Sequence, residues 1–267
     1  MTQPVRNAVM AAIGLVLIML WLRFGPGLVG GWMSEGAWGE AGFTVATFGP
    51  MLLLGWVGRR LAGIGRAGRA RGRSLGFGAL TGLGGLLLAT GYAALAGTLV
   101  RGATAPVGPL LALGLIVIAV QVAAEELVFR GWLQPVVQSL AGRWVAVTLV
   151  AALFAVLHLI AGGASGGVAL LNLFLGGMLF GLIAAGRLGL AGAMAAHFAW
   201  NVGEQLLLGL DPNPGVGAFG ALLDLDLRGA SPWGGSDQGL NGSWAMSLSL
   251  VALVVGWLLA ARRSGAA

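Results

Sequence analysis

Residues 116–133, "IVIAVQVAAEELVFRGWL", decide how this chain is interpreted. The stretch is apolar enough to lie in a membrane, yet it contains Gln121, Glu125, Glu126 and Arg130. An ionised side chain at the centre of a bilayer costs about 2.5–3.5 kcal/mol on insertion scales. Polar groups placed there therefore indicate either a chemical function or a specific packing role.

The overall composition indicates which solvent surrounds this stretch. Of the 267 residues, 58% are hydrophobic and 9% are charged, whereas soluble domains carry about 25% charged residues. The composition therefore predicts an integral membrane protein. A helical span needs about 20 apolar residues, so the chain has room for about eight spans. Cysteine is absent, which excludes a disulfide, a thiolate nucleophile and a cysteine-ligated metal.

Apolar runs and the residues that punctuate them predict an all-α, polytopic bundle of about eight transmembrane helices. The predicted spans are 8–24, 40–58, 75–99, 109–138, 143–161, 167–186, 190–209 and 243–261. We interpret residues 1–267 as a single membrane domain. Its predicted parts are N-terminal spans in 1–100 with an Arg-rich loop at 59–73, a core at 107–210, a loop at 211–242 and a last span at 243–261. The GxxxG spacings Gly78/Gly82 and Gly177/Gly181 indicate close helix packing at most.

The arginines predict the orientation, since the chain has no lysine. With a cytoplasmic N-terminus, most arginines fall in cytoplasmic loops or ends, in agreement with the positive-inside rule. The cytoplasmic set is Arg59, Arg60, Arg66, Arg69, Arg71, Arg73, Arg143, Arg187, Arg262 and Arg263, and the outer set is Arg23, Arg101 and Arg228. Both termini are then cytoplasmic, and loop 211–242 lies outside, where it could gate access to a site. Contact with anionic lipid explains the net charge of +6 without nucleic acid.

The two glutamates of the opening stretch point in different directions if the stretch is helical. Adjacent helical residues lie about 100° apart, whereas residues four apart share a face. Glu126 is therefore expected to pair with Arg130, which leaves Glu125 as the unpaired acid on the side of Gln121 and Phe129. A buried, unpaired carboxyl group suits a general base or acid. From these residues alone, the alternative is that all three ionisable groups only brace neighbouring helices.

Both histidines of the chain lie within predicted spans, His158 in "LFAVLHLIAGG" and His197 in "AMAAHFAWNVGEQ". An intramembrane histidine can be only a hydrogen-bonded packing residue, but here the geometry favours a site. If the fourth and fifth spans form a hairpin that turns at residues 141–142, Glu125 and His158 lie at the same depth, about 25 Å from the turn.

The third group of polar residues is on the seventh predicted span. His197 and Asn201 are four residues apart and share a helix face, and Glu204 lies on nearly the same face. The span limits place His197 a turn or two nearer the cytoplasm than Glu125 and His158. Either the turn before this span lies deeper in the membrane, or the site is tilted.

Three segments carry a resemblance to a known family: "EELVFR" at 125–130, "FAVLH" at 154–158 and "HFAWN" at 197–201. They resemble the motifs EExxxR, FxxxH and HxxxN of the CAAX-protease and bacteriocin-processing family of intramembrane proteases. The motifs occur in the family's order, and the resemblance covers about residues 107–210. Residues 1–100 match nothing diagnostic, while the tail after the third motif is similar to one bacterial branch of the family.

The resemblance implies a division of catalytic work. Glu125, with help from His158, would activate a water molecule. His197 and Asn201 would stabilise the oxyanion that forms when this water attacks a peptide carbonyl. Such groups are chemically suited to these roles, because a carboxylate accepts a proton and an amide or imidazole donates hydrogen bonds to negative charge.

The remaining motif residues are implied to support the site. Glu126 and Arg130 would hold it together, and Phe154 would pack against it without taking part in the chemistry. Glu204 lies outside the family's motifs, so its role is left open.

A metal site is the alternative within the enzyme hypothesis. Glu125, His158 and His197 would be sufficient ligands for a catalytic zinc with an open fourth position. The HExxH arrangement common in zinc proteases is absent from the sequence. We favour metal-independent water activation with no cofactor, and keep zinc as the alternative.

Other functional classes remain open at this stage. A non-catalytic scaffold or immunity protein would gain little from burying this whole polar set, and a proton-coupled transporter often shows inverted repeats that are not evident here. We therefore predict a protease of a bacterial inner membrane whose partners are the lipid bilayer and a membrane-associated peptide or protein substrate. Nothing in the sequence reports a groove for a prenyl group.

Overall fold

The computed structural model describes residues 2–65, 72–103, 110–163 and 165–263, with the backbone alone for 261–263. The helices are α1 (Gln3–Gly30), α2 (Ala37–Leu61), α3 (Gly72–Leu95), α4 (Leu111–Glu126), α5 (Gln134–Ala141), α6 (Arg143–Ile160), α7 (Gly167–Ala185), α8 (Gly189–Val202) and α9 (Trp244–Arg263). The short strands are β1 (Leu99–Arg101), β2 (Leu210–Asp211) and β3 (Leu225–Leu227). Three of the arginines predicted to be cytoplasmic, at 66, 69 and 71, lie outside the described residues.

Two π-helical segments extend the regular helices. Leu127–Leu133 joins α4 to α5 in one continuous rod, and Gly203–Leu208 prolongs α8. The described residues therefore form eight helical rods, close to the predicted spans, and the all-helical class is confirmed. Six helical stretches are long and apolar enough to cross a membrane, and a shorter apolar helix covers Trp244–Ala260. The exact number of spans and the cytoplasmic termini stay predictions.

The predicted hairpin between α5 and α6 is present. Gly142 alone connects the two helices, and its φ of 83° lies in the left-handed region that favours glycine. The rings of Phe129 and Phe154, almost equally far from Gly142 along the chain, lie 5.1 Å apart between centroids. The two arms of the hairpin therefore run back along each other, as the expected common depth of the first two motifs requires.

The first GxxxG spacing brings α3 into backbone contact with α8. A Cβ atom added to Gly78 would lie 2.3 Å from the carbonyl oxygen of Gly192, and one added to Gly82 would lie 1.9 Å from that of Ala196. Only glycine permits so close an approach. Because Ala196 precedes His197, this contact helps to set the position of the third motif.

The π-helical segment after α4 is held by glycines of the N-terminal helices. Trp132 is 1% exposed, and Cβ atoms added to Gly14 of α1 and Gly58 of α2 would lie within 2.4 Å of its ring. The two N-terminal helices therefore form the socket in which the first motif is fixed.

The long loop 211–242 is folded. Strand β3 pairs antiparallel with β1 and parallel with β2, giving the order β1-β3-β2. The loop is tied to the end of α3 by Thr98, whose hydroxyl donates to the carbonyl of Trp233 at 2.8 Å. This anchoring places the loop over one end of the bundle.

Candidate active site

The predicted ion pair of the first motif is present and fully buried. Nη1 of Arg130 donates to Oε1 of Glu126 at 2.8 Å, and neither side chain is exposed. Nη2 of Arg130 donates to the carbonyl of Gly177 at 3.1 Å, and Gln134, one turn later, donates to that of Gly181 at 3.0 Å. The carbonyls of Gly177 and Gly181, the two glycines of the second GxxxG spacing, thus accept hydrogen bonds from Arg130 of the first motif and from Gln134 just after it.

Glu126 also holds the histidine of the third motif. Nδ1 of His197 lies 3.0 Å from Oε1 of Glu126, the same oxygen that accepts from Arg130. A carboxylate can only accept hydrogen bonds, so Nδ1–H must donate. This fixes the orientation of the imidazole, since the ring nitrogen that is not bonded is turned toward the neighbouring glutamate.

Glu125 is separate from this ion pair, as the helical spacing predicts. Its Oε1 accepts from the side-chain amide of Gln121 at 3.2 Å. Its Oε2 is buried, has no hydrogen-bond partner among the described residues and lies 3.8 Å from Nε2 of His197. An acid with a vacant acceptor therefore faces an imidazole nitrogen across a gap slightly longer than a hydrogen bond.

The second motif presents its histidine in the same manner. Nδ1 of His158 lies 2.9 Å from the carbonyl oxygen of Phe154, which can only accept, so Nδ1–H donates. Nε2 is left without a hydrogen-bond partner among the described residues. Both histidines are therefore fixed through Nδ1 by groups of the protein.

Aromatic rings enclose the polar groups. The ring of Phe154 lies 4.3 Å from that of His158 and 4.7 Å from the guanidinium carbon of Arg130. Phe180 of α7 stacks on His197, with 4.6 Å between centroids and 16° between planes. These contacts restrict the rotamers of both histidines and bury the ion pair below them.

Polar residues from each of the three motifs line one cavity of about 260 Å³. Glu125, His158, His197 and Asn201 all line it. Its lining also includes Gln121, Asn172, Glu204, Gln205, Asn213, Gln238 and Asn241. The cavity therefore extends from the motif residues in the bundle to loop 211–242.

The expected difference in depth between His197 and Glu125 can be compared with the lengths of the helices that carry them. His197 is eight residues from the first residue of α8, and Glu125 is sixteen residues from the last residue of α5. At about 1.5 Å per residue these distances differ by about 12 Å. Because the two side chains nevertheless meet, α8 starts nearer the site than the α5–α6 turn or approaches it at an incline.

Several cavity residues were missed by the sequence analysis. Asn172 of α7 donates to the carbonyls of Asn241 and Ser243 at 2.9 Å and accepts from Ser247 at 2.6 Å. A lone asparagine in the apolar run "GVALLNLFLGG" was the available signal, since buried polar groups in spans are costly. Phe180 and Asn241 gave no such signal, because a Phe in a span and an Asn in a loop are ordinary.

The ligand set of the metal alternative does not fit a zinc ion as it stands. Among the described residues, a group of three possible ligands within 4.8 Å of one another is formed by Asp211, Asp224 and Asp226 in the loop. Glu125, His158 and His197 do not form such a group, although bonds of about 2.0–2.2 Å to one zinc would hold ligand atoms closer than this. Zinc binding would require these side chains to move together.

The match to known proteins covers the segment that holds the site. Residues 107–203 match the family model for type II CAAX prenyl endopeptidases that are Rce1-like. The resemblance carried by the three motifs is confirmed over this segment, and it supports a protease. The searches of curated proteins and of solved structures returned no match.

Proposed function

We propose that the protein is an intramembrane endopeptidase that hydrolyses a peptide bond in a membrane-associated protein or peptide. The observation that carries this proposal is the 3.8 Å approach of Nε2 of His197 to Oε2 of Glu125 beside a cavity that His158 and Asn201 also line. Burying this set in an apolar bundle is costly. A catalytic role accounts for that cost.

Water is the nucleophile in this proposal. None of the described residues that line the cavity is a serine, threonine or lysine, and the chain has no cysteine. The water is hydrogen-bonded to Oε2 of Glu125, which has no partner among the described residues, and it occupies the cavity that His158 also lines. Glu125 accepts a proton from this water as its oxygen bonds to the substrate carbonyl carbon. His158, with its free Nε2, orients the water.

The oxyanion needs hydrogen-bond donors. Nδ1–H of His197 is committed to Glu126, so Nε2 can donate only when the imidazole carries both protons. The anionic Glu126 stabilises that imidazolium, in the way that the aspartate of a catalytic triad supports its histidine. Asn201, one turn further along α8, supplies a second donor from its amide.

The second half of the reaction returns the proton. The tetrahedral intermediate collapses, the carbon–nitrogen bond breaks, and the leaving amine takes the proton that Glu125 had accepted from water. Glu125 is then ionised again, and the products are a new carboxyl terminus and a new amino terminus. No cofactor is needed in this scheme. Zinc held by Glu125, His158 and His197 is the alternative, and it requires the contraction described above.

We further propose a bacterial inner membrane as the location, with eight spans and both termini in the cytoplasm. In this orientation the 211–242 loop is outside, and the cavity that it lines opens toward the outer leaflet. An extended segment of a membrane-associated substrate would enter there and present a carbonyl to Glu125.

The test compares purified wild-type protein with Glu125→Gln in lipid vesicles. A library of quenched fluorescent peptides and a set of co-expressed membrane proteins are the substrates, and new termini are identified by mass spectrometry. We expect cleavage by the wild type and none by the variant, with both unfolding at similar temperatures. Equal cleavage by both would contradict the role of Glu125, and two folded proteins that cleave nothing would favour a scaffold.

A further inference from the structure

The proposed mechanism leaves one buried carboxylate of the cavity, Glu204, without a role. It lies in the π-helical extension of α8, is 5% exposed and lines the cavity. Its Oε1 accepts from the side-chain amide of Asn241 at 3.0 Å. Among the described residues it forms no ion pair with an arginine or histidine, in contrast to Glu126.

Apart from Glu204, the polar cavity residues outside the three motifs are amides. No arginine is among the described residues that line the cavity, and its lining also includes the amides Gln205, Asn213, Gln238 and Asn241, of which Asn241 bonds Glu204. Amides can hydrogen-bond a peptide backbone, but they do not neutralise a carboxylate. In a low-dielectric setting an ionised carboxylate needs a counter-charge, and a cavity allows a ligand to provide it.

The loop above the cavity adds to the negative potential. Residues 211–242 contain four aspartates and one arginine, a net charge of −3. Asp211, the first residue of this loop, is two positions before Asn213, which lines the cavity. Clefts lined by one sign of charge attract ligands of the opposite sign. The net negative charge of the loop therefore adds to the attraction that Glu204 would exert on a cation.

The spacing along α8 relates Glu204 to the proposed reaction. Glu204 is seven residues after His197, which corresponds to about 10 Å along a helix. An extended peptide covers about 3.3 Å per residue, so the same distance spans about three substrate residues.

We propose that Glu204 binds a cationic group of the substrate, an ammonium or guanidinium, about three residues from the bond that is cleaved. This inference rests on the proposed function, because it takes the cavity as the substrate site. Glu204 is then a specificity-determining residue, and the substrate class is narrowed to membrane-associated segments with a basic side chain or a free amino terminus near the cleavage site.

The test measures binding in the Glu125→Gln background, so that no cleavage is needed. The probes are palmitoylated, fluorescent alanine-rich dodecapeptides in which one arginine is moved through the sequence, each matched by a peptide with isosteric, neutral citrulline. A second pair without arginine has a free or an acetylated amino terminus, with the lipid at the other end. The two pairs distinguish a side chain from a terminal amine.

We expect one arginine position, or the free terminus, to bind about tenfold or more tightly than its neutral match. Adding Glu204→Gln should bring this ratio close to one, while Glu204→Asp, which keeps the charge, should retain a preference. Glu40→Gln is the matched control, because Glu40 is exposed on α2 near the loop residue Gly217 and does not line the cavity. It should leave the ratio unchanged.

Three results would overturn the inference. The Glu125→Gln protein could bind charged and neutral probes equally well or bind no probe at all, or the preference for the charged probe could persist when Glu204→Gln is added. Cleavage of the same peptides by the wild type separates this result from the proposed function. Binding with a charge preference but without cleavage would contradict the protease proposal alone. Cleavage that is indifferent to the cation would contradict the role of Glu204 alone.

Discussion

Nδ1 of His197 donates a hydrogen bond to Glu126 at 3.0 Å, on the same carboxylate oxygen that accepts from Arg130. Glu126 thus links the first and third motifs, and it is 71 residues from His197 along the chain. Because Glu126 is fully buried, its charge acts at low dielectric on both partners. Its role in the account is to position His197 and to stabilise the imidazolium.

Replacing Glu126 by glutamine tests this positioning role. The amide oxygen can still accept one hydrogen bond, but the charge that balances Arg130 and stabilises the His197 imidazolium is lost. We expect the cleavage rate to fall about 100-fold or more and the free energy of unfolding to fall by about 3–5 kcal/mol, since Arg130 becomes an unpaired buried charge. Cleavage kinetics and thermal unfolding measure the two effects.

Gln134→Leu is the control for loss of packing alone. Gln134 donates to the carbonyl of Gly181 one turn after Arg130, and it does not line the cavity. The variant should lose about 1–3 kcal/mol of stability while its rate stays close to wild type. If Gln134→Leu lost as much of the cleavage rate as Glu126→Gln, this would show that Glu126 affects the rate only through the stability of the fold.

The contact between α3 and α8 gives a second prediction. A leucine at Gly82 would start from a Cβ atom 1.9 Å from the carbonyl oxygen of Ala196, so α8 must move and carry His197 with it. We expect a loss of about 1–3 kcal/mol in stability and a lower cleavage rate. Gly84→Leu, two residues along, meets no atom within 4 Å and should change neither quantity. Equal effects of the two variants would contradict the proposed contact.

The loop aspartates give a prediction about pH. Burial raises the pKa of Asp211 above its usual value of 3.8, and the neighbouring Asp226 and Asp224 raise it further. A raised pKa means that the folded state favours the protonated form, so the ionised form destabilises the fold at neutral pH. Asp211→Asn should therefore raise the unfolding temperature at neutral pH, by an amount that shrinks as the pH is lowered toward 3.8.

Asp237→Asn is the control for this measurement, because Asp237 is exposed on the same loop. Its effect on the unfolding temperature should be smaller and should not follow the same pH dependence. If Asp211→Asn destabilised the protein at neutral pH, the assignment of an unfavourable charge to Asp211 would be wrong.

Removal of metal separates the two mechanisms of water activation. The mechanism based on Glu125 predicts that dialysis against a strong chelator leaves the cleavage rate unchanged and that added zinc does not raise it. Elemental analysis of the purified protein in its active form should then find less than one zinc per chain. A rate that is lost on chelation and restored by zinc would instead make Glu125, His158 and His197 ligands.

Local geometry explains which features were predictable from the sequence. The Glu126–Arg130 pair follows from four-residue helical spacing, and the turn at Gly142 follows from a glycine between two apolar runs. The sequence motifs alone identified the candidate residues at 125, 158, 197 and 201. All four line one cavity. Their catalytic roles remain proposals.

Tertiary packing explains what was missed. The bond between His197 and Glu126 depends on how far α8 is inserted, which the contact of Gly82 with Ala196 helps to fix. No sequence spacing encodes that depth. The hydrogen bonds of Asn172 to the loop side of the cavity were likewise hidden, because an isolated asparagine does not reveal its partners.

The most direct test of the central claim is the cleavage rate of Glu125→Gln relative to wild type on one identified substrate. Glutamine keeps the size of the side chain and its acceptor for Gln121, but it cannot take a proton from water. We predict a rate loss of at least about 100-fold with an unchanged unfolding temperature, while Glu40→Gln keeps the wild-type rate. A folded Glu125→Gln protein that cleaves at the wild-type rate would contradict the account.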